Sequence, residues 1–157
     1  MNRKNKGISP VVATVIIVAI AIALAIAVAL WASGLVGIFT RFEEVKVISA
    51  YAEVPQGGAA GAFTVTLTLK NTGSADATID NVIINGKPFK TGYTGITVTI
   101  DGTDFDPTTG GYALRTGEQV NMIINIGAQA GFKSGQTLDI KVHTAAGHDY
   151  AKAVVLP

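Results

Sequence analysis

The side chains most able to do chemistry occur in two short stretches of the second half of the chain. Asp101, Asp104 and Asp106 crowd one loop. Clustered carboxylates can bind calcium, but this spacing breaks the EF-hand pattern. We therefore interpret the loop as a solvated turn, with a looser calcium site as the alternative.

His143 and His148 flank a turn and could meet across a hairpin. Two ligands are too few for a metal site, so exposed hairpin residues are the expectation.

No pattern typical of an enzyme accompanies these side chains. The sequence lacks a Gly-x-Ser-x-Gly elbow, a phosphate-binding loop and a pair of catalytic carboxylates. The absence of cysteine excludes disulfides, thiolate catalysis and cysteine-ligated zinc. A formal charge of +1 gives no basic footprint for nucleic acid. We therefore predict that the protein is not an enzyme, needs no cofactor or metal ion, and does not bind nucleic acid.

The composition divides the chain into an oily segment and an ordinary soluble one. Residues 8–40 contain no charged side chain, and 26 of these 33 residues are apolar. Arg3, Lys4 and Lys6 precede that run; without them, 9 basic residues face 11 acidic ones. A basic leader followed by an apolar run is typical of a membrane-targeting segment. The remainder is long enough for one globular domain.

The oily run is too long for a secretory signal and is predicted to be helical. A secretory signal has an apolar core of roughly 7–15 residues, and a simple membrane span needs about 20. Residues 19–30 alternate in a period of two, which would favour a strand, but the run far exceeds usual strand lengths. Backbone within a membrane must also satisfy its own hydrogen bonds, which favours a helix. Ser9 fits the helix cap and Pro10 the first turn.

Wrapped on a helix, the alternation produces four stripes, two thin and two thick. The thin stripes are Ala19, Ala23, Ala27 and, on the roughly opposite side, Ala21, Ala25, Ala29. The thick stripes are Ile20, Leu24, Val28 and Ile22, Ile26, Leu30. Rows of small residues let helices approach closely, so two rows favour a helix with neighbours on several sides. A lone anchor, for which any mixture of these residues would serve, is the alternative.

The start of this run resembles that of a known family. Lys6, Gly7 and Ile8 look like the cleavage site of a class III (prepilin-type) signal peptide, and residues 8–17 are similar to the N-terminus of archaeal type IV pilins. The resemblance implies cleavage after Gly7 by a prepilin peptidase, residence in the membrane before assembly, and polymerisation driven by an assembly ATPase and a platform protein. Val12 stands where bacterial pilins usually carry glutamate, which favours the archaeal branch.

The resemblance also implies an organisation, a role and a location. Residues 1–7 would be the leader, 8–42 the hydrophobic pilin helix and 43–157 the head domain. The chain would be the major subunit of an archaeal type IV adhesion pilus, made of copies of itself. It would form an extracellular surface filament from a precursor in the cytoplasmic membrane. The alternatives are an archaellin-type motility filament subunit, and a minor pilin or membrane-anchored surface-binding module.

The head is predicted to be an antiparallel immunoglobulin-like β-sandwich, which makes the whole chain α+β. Short runs rich in β-branched residues recur with turn signals between them, and Asn85-Gly86 is a strong hairpin signal. The predicted strands cover 45–54, 63–69, 79–84, 96–100, 120–126, 138–142 and 150–156. They number seven or eight in all.

Threonine is the unusual residue of the head, with 15 between Ala50 and Pro157. The default explanation is β-propensity on solvent-facing positions. The functional alternative is O-glycosylation of a surface filament, with candidates at Thr64, Thr66, Thr68, Thr97 and Thr99. The sequon Asn-x-Ser/Thr does not occur, so N-glycosylation is not predicted.

Overall fold

A computed structural model describes residues 9–34 and 41–157, and it divides the chain into two compact units at Arg41 and Phe42. The first unit contains helix α1, Pro10–Ala32. Pro10 occupies the first helical position, as predicted. Ser9 stands at the cap position, but its side chain makes no capping hydrogen bond; only its carbonyl oxygen accepts, from the Ala13 amide.

Helix α1 is shorter than the oily run from which it is built. Its 23 residues correspond to about 34 Å of helix, close to the roughly 30 Å of a bilayer's hydrocarbon core. Ser33 caps the C-terminus and Gly34 has a φ of +73°, a left-handed conformation that ends helices and that glycine adopts without strain. Arg41 and Phe42 are not helical, and residues 35–40 lie outside the described part of the chain.

The second unit is a sandwich of two antiparallel sheets, which confirms the predicted fold class. One sheet has the order β1-β2-β8-β5-β6, formed by Val45–Glu53, Phe63–Asn71, Gln119–Ile126, Ile96–Ile100 and Thr103–Asp104. The other has the order β10-β9-β3-β4, formed by Asp149–Val155, Thr137–Thr144, Ala77–Ile84 and Lys87–Pro88, and β7 (Tyr112–Leu114) also pairs with β3. A single helical turn, α2 (Phe89–Gly92), follows β4.

The core lies between the two sheets and follows the alternation of the sequence. In β2, Val65, Leu67 and Leu69 are fully buried while the residues between them are half-buried. Met122 and Ile124 of β8 are fully buried in the same way. Strand β3 departs from strict alternation, because its pairing with β9 shifts register between Ile79 and Asn81. This bulge turns two consecutive residues outward and explains why the next core residue is Val82.

The chain enters the head through a set of hydrogen bonds that we call the entry contact. Phe42 and Glu44 bind the turn after β2: the Phe42 amide donates to Ser74 Oγ, the Ser74 amide donates to the Phe42 carbonyl, and the Thr72 amide donates to the Glu44 carbonyl. A Cβ on Gly73 would lie 2.5 Å from the Phe42 carbonyl oxygen, so only glycine fits there. The chain entering the head is thereby fixed against the sandwich.

The buried side chain of Asn71 stabilises this turn through three hydrogen bonds. Its side-chain amide donates to the carbonyls of Ala75 and Leu114, and its side-chain oxygen accepts from the Gly73 amide. Asn71 has no solvent exposure. A fully buried side-chain amide with three hydrogen bonds contributes to stability, whereas the loss of any one partner would leave a polar group unsatisfied.

Candidate functional site

The surface of α1 is apolar on every side. The helix has no buried residue, and its thirteen large apolar side chains have exposed fractions between 49% for Leu30 and 73% for Trp31. By length and composition it could cross a membrane. Its hydroxyls bond to its own backbone, Thr14 Oγ1 to the Val11 carbonyl and Ser33 Oγ to the Leu30 carbonyl. Apart from the indole N–H of Trp31, close to its C-terminal end, the helix therefore has no side-chain group that needs a polar partner, and it can be surrounded by lipid or by other apolar helices.

Because α1 is one regular helix from Pro10 to Ala32, the predicted stripes follow from its geometry. Residues four apart lie above one another, so Ala19, Ala23 and Ala27 form one row and Ala21, Ala25 and Ala29 another. Polymerisation through these rows stays a prediction, since one chain is described. The predicted cleavage site, Lys6, Gly7 and Ile8, lies outside the described residues.

The outer surface of the first sheet carries the five threonines that were predicted as modification candidates. The register aligns its outward side chains in three rows across the strands: Ser49–Thr68–Asn121, Tyr51–Thr66–Ile123–Thr99 and Glu53–Thr64–Asn125–Thr97. We call this surface the polar face. Sequence alone does not reveal it, because the rows depend on strand order and register. O-glycosylation of these threonines stays a prediction.

Hydrogen bonds between neighbouring strands order the side chains of the polar face. Thr64 Oγ1 donates to Asn125 Oδ1 over 3.2 Å, and Thr68 Oγ1 donates to Asn121 Oδ1 over 3.1 Å. Ser49 Oγ donates to Thr68 Oγ1 over 2.9 Å. Both asparagine oxygens are therefore occupied, which leaves the asparagine amide groups as donors towards solvent.

The outer surface of the second sheet is charged, and His143 occupies its centre. His143 Nδ1 lies 2.6 Å from Asp149 Oδ1, and His143 Nε2 lies 3.9 Å from Asp80 Oδ1. The hydrogen bond to Asp149 is the main cause that raises the pKa of His143, and partial burial opposes it. Asp80 Oδ1 is buried and accepts no hydrogen bond within the described residues. The imidazole of His143 on β9 thus lies between carboxylates of the two neighbouring strands, β10 and β3.

The two histidines do not form the pair that their spacing allowed. The ring of His148 lies beside Tyr150, with a centroid distance of 6.4 Å, while His143 contacts Asp149. The register of the hairpin places Asp149 directly opposite His143. The turn signal in the sequence indicated a hairpin here but not which side chain would face the imidazole.

Two of the three aspartates of the acidic loop, Asp101 and Asp106, have separate partners. Asp106 pairs with Lys90 and accepts from the Thr108 amide; these bonds, led by that to Lys90, lower the pKa of Asp106 to about 2. Asp101 Oδ1 accepts a hydrogen bond from the backbone N–H of Asn121. Within ranges 9–34 and 41–157, no three acidic or histidine side chains lie close enough to share a metal ion. The solvated turn and its calcium alternative both stay predictions.

A small cavity lies beside this loop. Its volume is about 230 Å³, and the rings of Phe89 and Phe105, with centroids 6.1 Å apart, form part of its apolar lining. Lys90 and Asp106 also line the cavity, and they pair with each other. Neither side chain is therefore left as an unpaired charge directed at a ligand.

Comparison with known proteins gives likenesses of fold only. No family model and no curated protein matches the chain. It is similar to the archaellum periplasmic stator protein FlaG from Sulfolobus acidocaldarius, with 20% identity, 71% of this chain and 99% of that chain covered, and a TM-score of 0.45. It is also similar to a chain of the FlaF and FlaG stator complex from the same organism, with 20% identity, 71% and 89% covered, and a TM-score of 0.44. A third likeness is to the Iho670 flagellar-like filament, with 14% identity, 94% and 98% covered, and a TM-score of 0.37. All three TM-scores are below 0.5.

Proposed function

We propose that this chain is the major structural subunit of an archaeal type IV adhesion pilus and that it polymerises through α1. The observation that carries the proposal is the surface of α1, which over 23 residues has neither a buried nor a charged side chain. A helix that is apolar all round requires an apolar environment on every side. Lipid provides it before assembly, and the helices of other copies provide it afterwards.

The stripes of α1 favour a bundle of helices over a lone anchor. Lipid tails are as apolar as leucine, so moving α1 from lipid into a bundle gains little from the hydrophobic effect. Close packing must supply the drive instead, and it is favoured where small residues let backbones approach. Ala23 and Ala25 stand at the middle of two such rows on different sides of the helix, which suits neighbours on more than one side.

The pilin-like leader supports the remaining steps of the proposal. A prepilin peptidase removes residues 1–7, and the membrane holds the processed subunit until the assembly ATPase and platform protein add it to the filament. The mature head is then outside the cell. The role requires no catalytic side chain, so we propose a structural protein and not an enzyme.

The mature N-terminus and the composition of sheared filaments test this proposal together. A pilin subunit should begin at Ile8 and should be the main protein of a sheared-filament preparation. A mature start near Leu35 would identify a secreted domain and would refute polymerisation through α1. An intact Met1 in a chain that never leaves the membrane would support a simple anchor instead.

A deletion strain separates the pilus from its archaellin alternative. A strain that lacks the gene should lose attachment to surfaces while it still swims. Loss of swimming with normal attachment would assign the chain to a motility filament. A scarce protein in sheared filaments would identify a minor pilin.

A further inference from the structure

We propose that the polar face of the first sheet binds an uncharged polysaccharide. The inference rests on the proposed function, which puts the head outside the cell, and it names the chemistry that the head would attach to. Four properties of the face support it: its charge, its hydrogen-bonding groups, its rigidity and its apolar content.

The first property is the absence of charge from the middle of the face. Charged side chains occur only at the ends of the rows: Glu53 lies on edge strand β1, and the middle row continues from Thr99 to Asp104 on the opposite edge strand, β6. Lys46 and Lys70 lie opposite each other in the strand register, in the next row beyond Ser49 and Thr68, and so are not part of the polar face. Nucleic acids and acidic polymers are bound through many basic contacts, which this surface lacks. The partner that it fits is neutral.

The second property is a set of hydroxyl and amide groups that are directed outward. Thr97, Asn121 and Asn125 are exposed, and Thr66 and Thr99 are half-buried. Within the described part of the chain, no protein partner is found for the hydroxyls of Thr66, Thr97 and Thr99. Hydroxyls both donate and accept hydrogen bonds, while the asparagine amides donate. Such a mixture matches a sugar polymer, whose hydroxyls also do both.

The third property is rigidity. The bonds from Thr64 to Asn125 and from Thr68 to Asn121 fix the asparagine side chains, and threonine is stiff because it branches at Cβ. Binding groups that are already ordered lose little entropy when a ligand arrives. The face therefore presents fixed donors at the spacing of a β-sheet, about 4.8 Å between strands.

The apolar content of the face favours a sugar over a protein partner. The cores of protein interfaces are apolar and rich in aromatic residues. The only large apolar side chains in the three rows are Tyr51 and Ile123, both in the middle row. Tyr51 is 48% exposed, so its ring can lie against the apolar face of a sugar ring while its hydroxyl stays wet.

The second sheet provides a control surface on the same molecule. Its outer side carries Asp80, Asp139, Lys141, His143 and Asp149, and so differs from the polar face in charge while sharing its antiparallel β-sheet architecture. Thr78 of β3 is half-buried there between two buried neighbours. Thr78→Val is therefore a matched control, because it removes the same hydroxyl from a half-buried strand position on the other sheet.

The test is native affinity electrophoresis of the full chain in detergent. The gels contain dextran, mannan or hydroxyethylcellulose as neutral probes and alginate as an acidic one, each at low and high salt. At least one neutral polymer should retard the protein equally at both salt concentrations. The triple variant Thr66→Val, Thr97→Val, Thr99→Val should bind at least about tenfold more weakly, because it loses three hydroxyls and keeps the shape of the strands. Thr78→Val should bind like the parent.

Several results would overturn the inference. The first is that no neutral polymer retards the protein, and the second is that only alginate does. The third is that the triple variant binds as tightly as the parent while its melting temperature is unchanged. Self-association of the full chain that the triple variant abolishes would assign the face to contacts between copies instead. Because none of these measurements needs a filament, they can fail while the pilus proposal stands, and the reverse also holds.

Discussion

Replacing one alanine in the middle of a thin stripe should block assembly without disturbing the membrane helix. Ala23→Leu adds three carbon atoms to a row whose members at Ala19 and Ala27 stay small. Overpacking a close contact costs about 1–3 kcal/mol. Since about 1.4 kcal/mol corresponds to a factor of ten, the subunit concentration needed for assembly should rise about 5- to 150-fold. Ala25→Leu should act in the same way on the other thin row.

The assay compares filaments with membrane-inserted subunits in the same cells. Leucine favours insertion into a bilayer, so the amount of each variant in the membrane should not fall. Leu24→Ile, which conserves volume in a thick stripe, is the matched control and should assemble normally. Wild-type quantities of filament from both alanine variants would refute the four-stripe packing. Loss of the protein from the membrane would instead show a defect in targeting.

Three further predictions concern the head and can be checked on the purified chain. Gly73→Ala should lower the free energy of unfolding by at least about 2 kcal/mol in chemical denaturation, since its Cβ would lie 2.5 Å from a backbone carbonyl oxygen. Asn71→Ala should cost about 2–4 kcal/mol in the same experiment, because the Leu114 carbonyl and the Gly73 backbone amide each lose the partner of a buried hydrogen bond; an effect below 1 kcal/mol would contradict this account. The pKa of His143 is raised above 6.5, chiefly by Asp149, so its contribution is complete below that pH and is lost as pH rises through the folded-state pKa. His143→Gln should therefore flatten the fall of melting temperature between acidic and alkaline pH, and an equal flattening in the control His148→Gln would show that the contact is not responsible.

The elements that sequence predicted well are those with strong periodicity. The runs at 63–69, 96–100 and 120–126 all lie in strands, and the Asn85-Gly86 signal marks the β3–β4 hairpin. The missed elements, β4, β6, β7 and α2, are two to four residues long. Segments of that length carry too few residues to show a period, and tertiary contacts determine them.

The arrangement of side chains on the two outer sheet surfaces could not be predicted from sequence, because it depends on how separate strands are placed side by side. Thr66 and Thr99 belong to one row only because β8 lies between their strands. Asp80 faces outward by the alternation of β3, but its approach to His143 depends on the pairing of β3 with β9, which a pattern of apolar residues does not reveal. Composition and periodicity therefore identified the threonines and histidines as candidates, whereas strand order and register selected their neighbours.

The entry contact determines how the head responds to mechanical force. Tension transmitted along the chain from α1 reaches the sandwich first at Phe42, before it reaches β1. The hydrogen bonds of Phe42 and Glu44 with the turn after β2 carry that load, and they can break and re-form while the core stays intact. Tyr150 Oη also donates to the Glu43 carbonyl. Release of this bond together with the others would free the three residues that precede β1, about 10 Å of extended chain. In the proposed filament, this release would let each subunit extend before any strand of the sandwich is pulled.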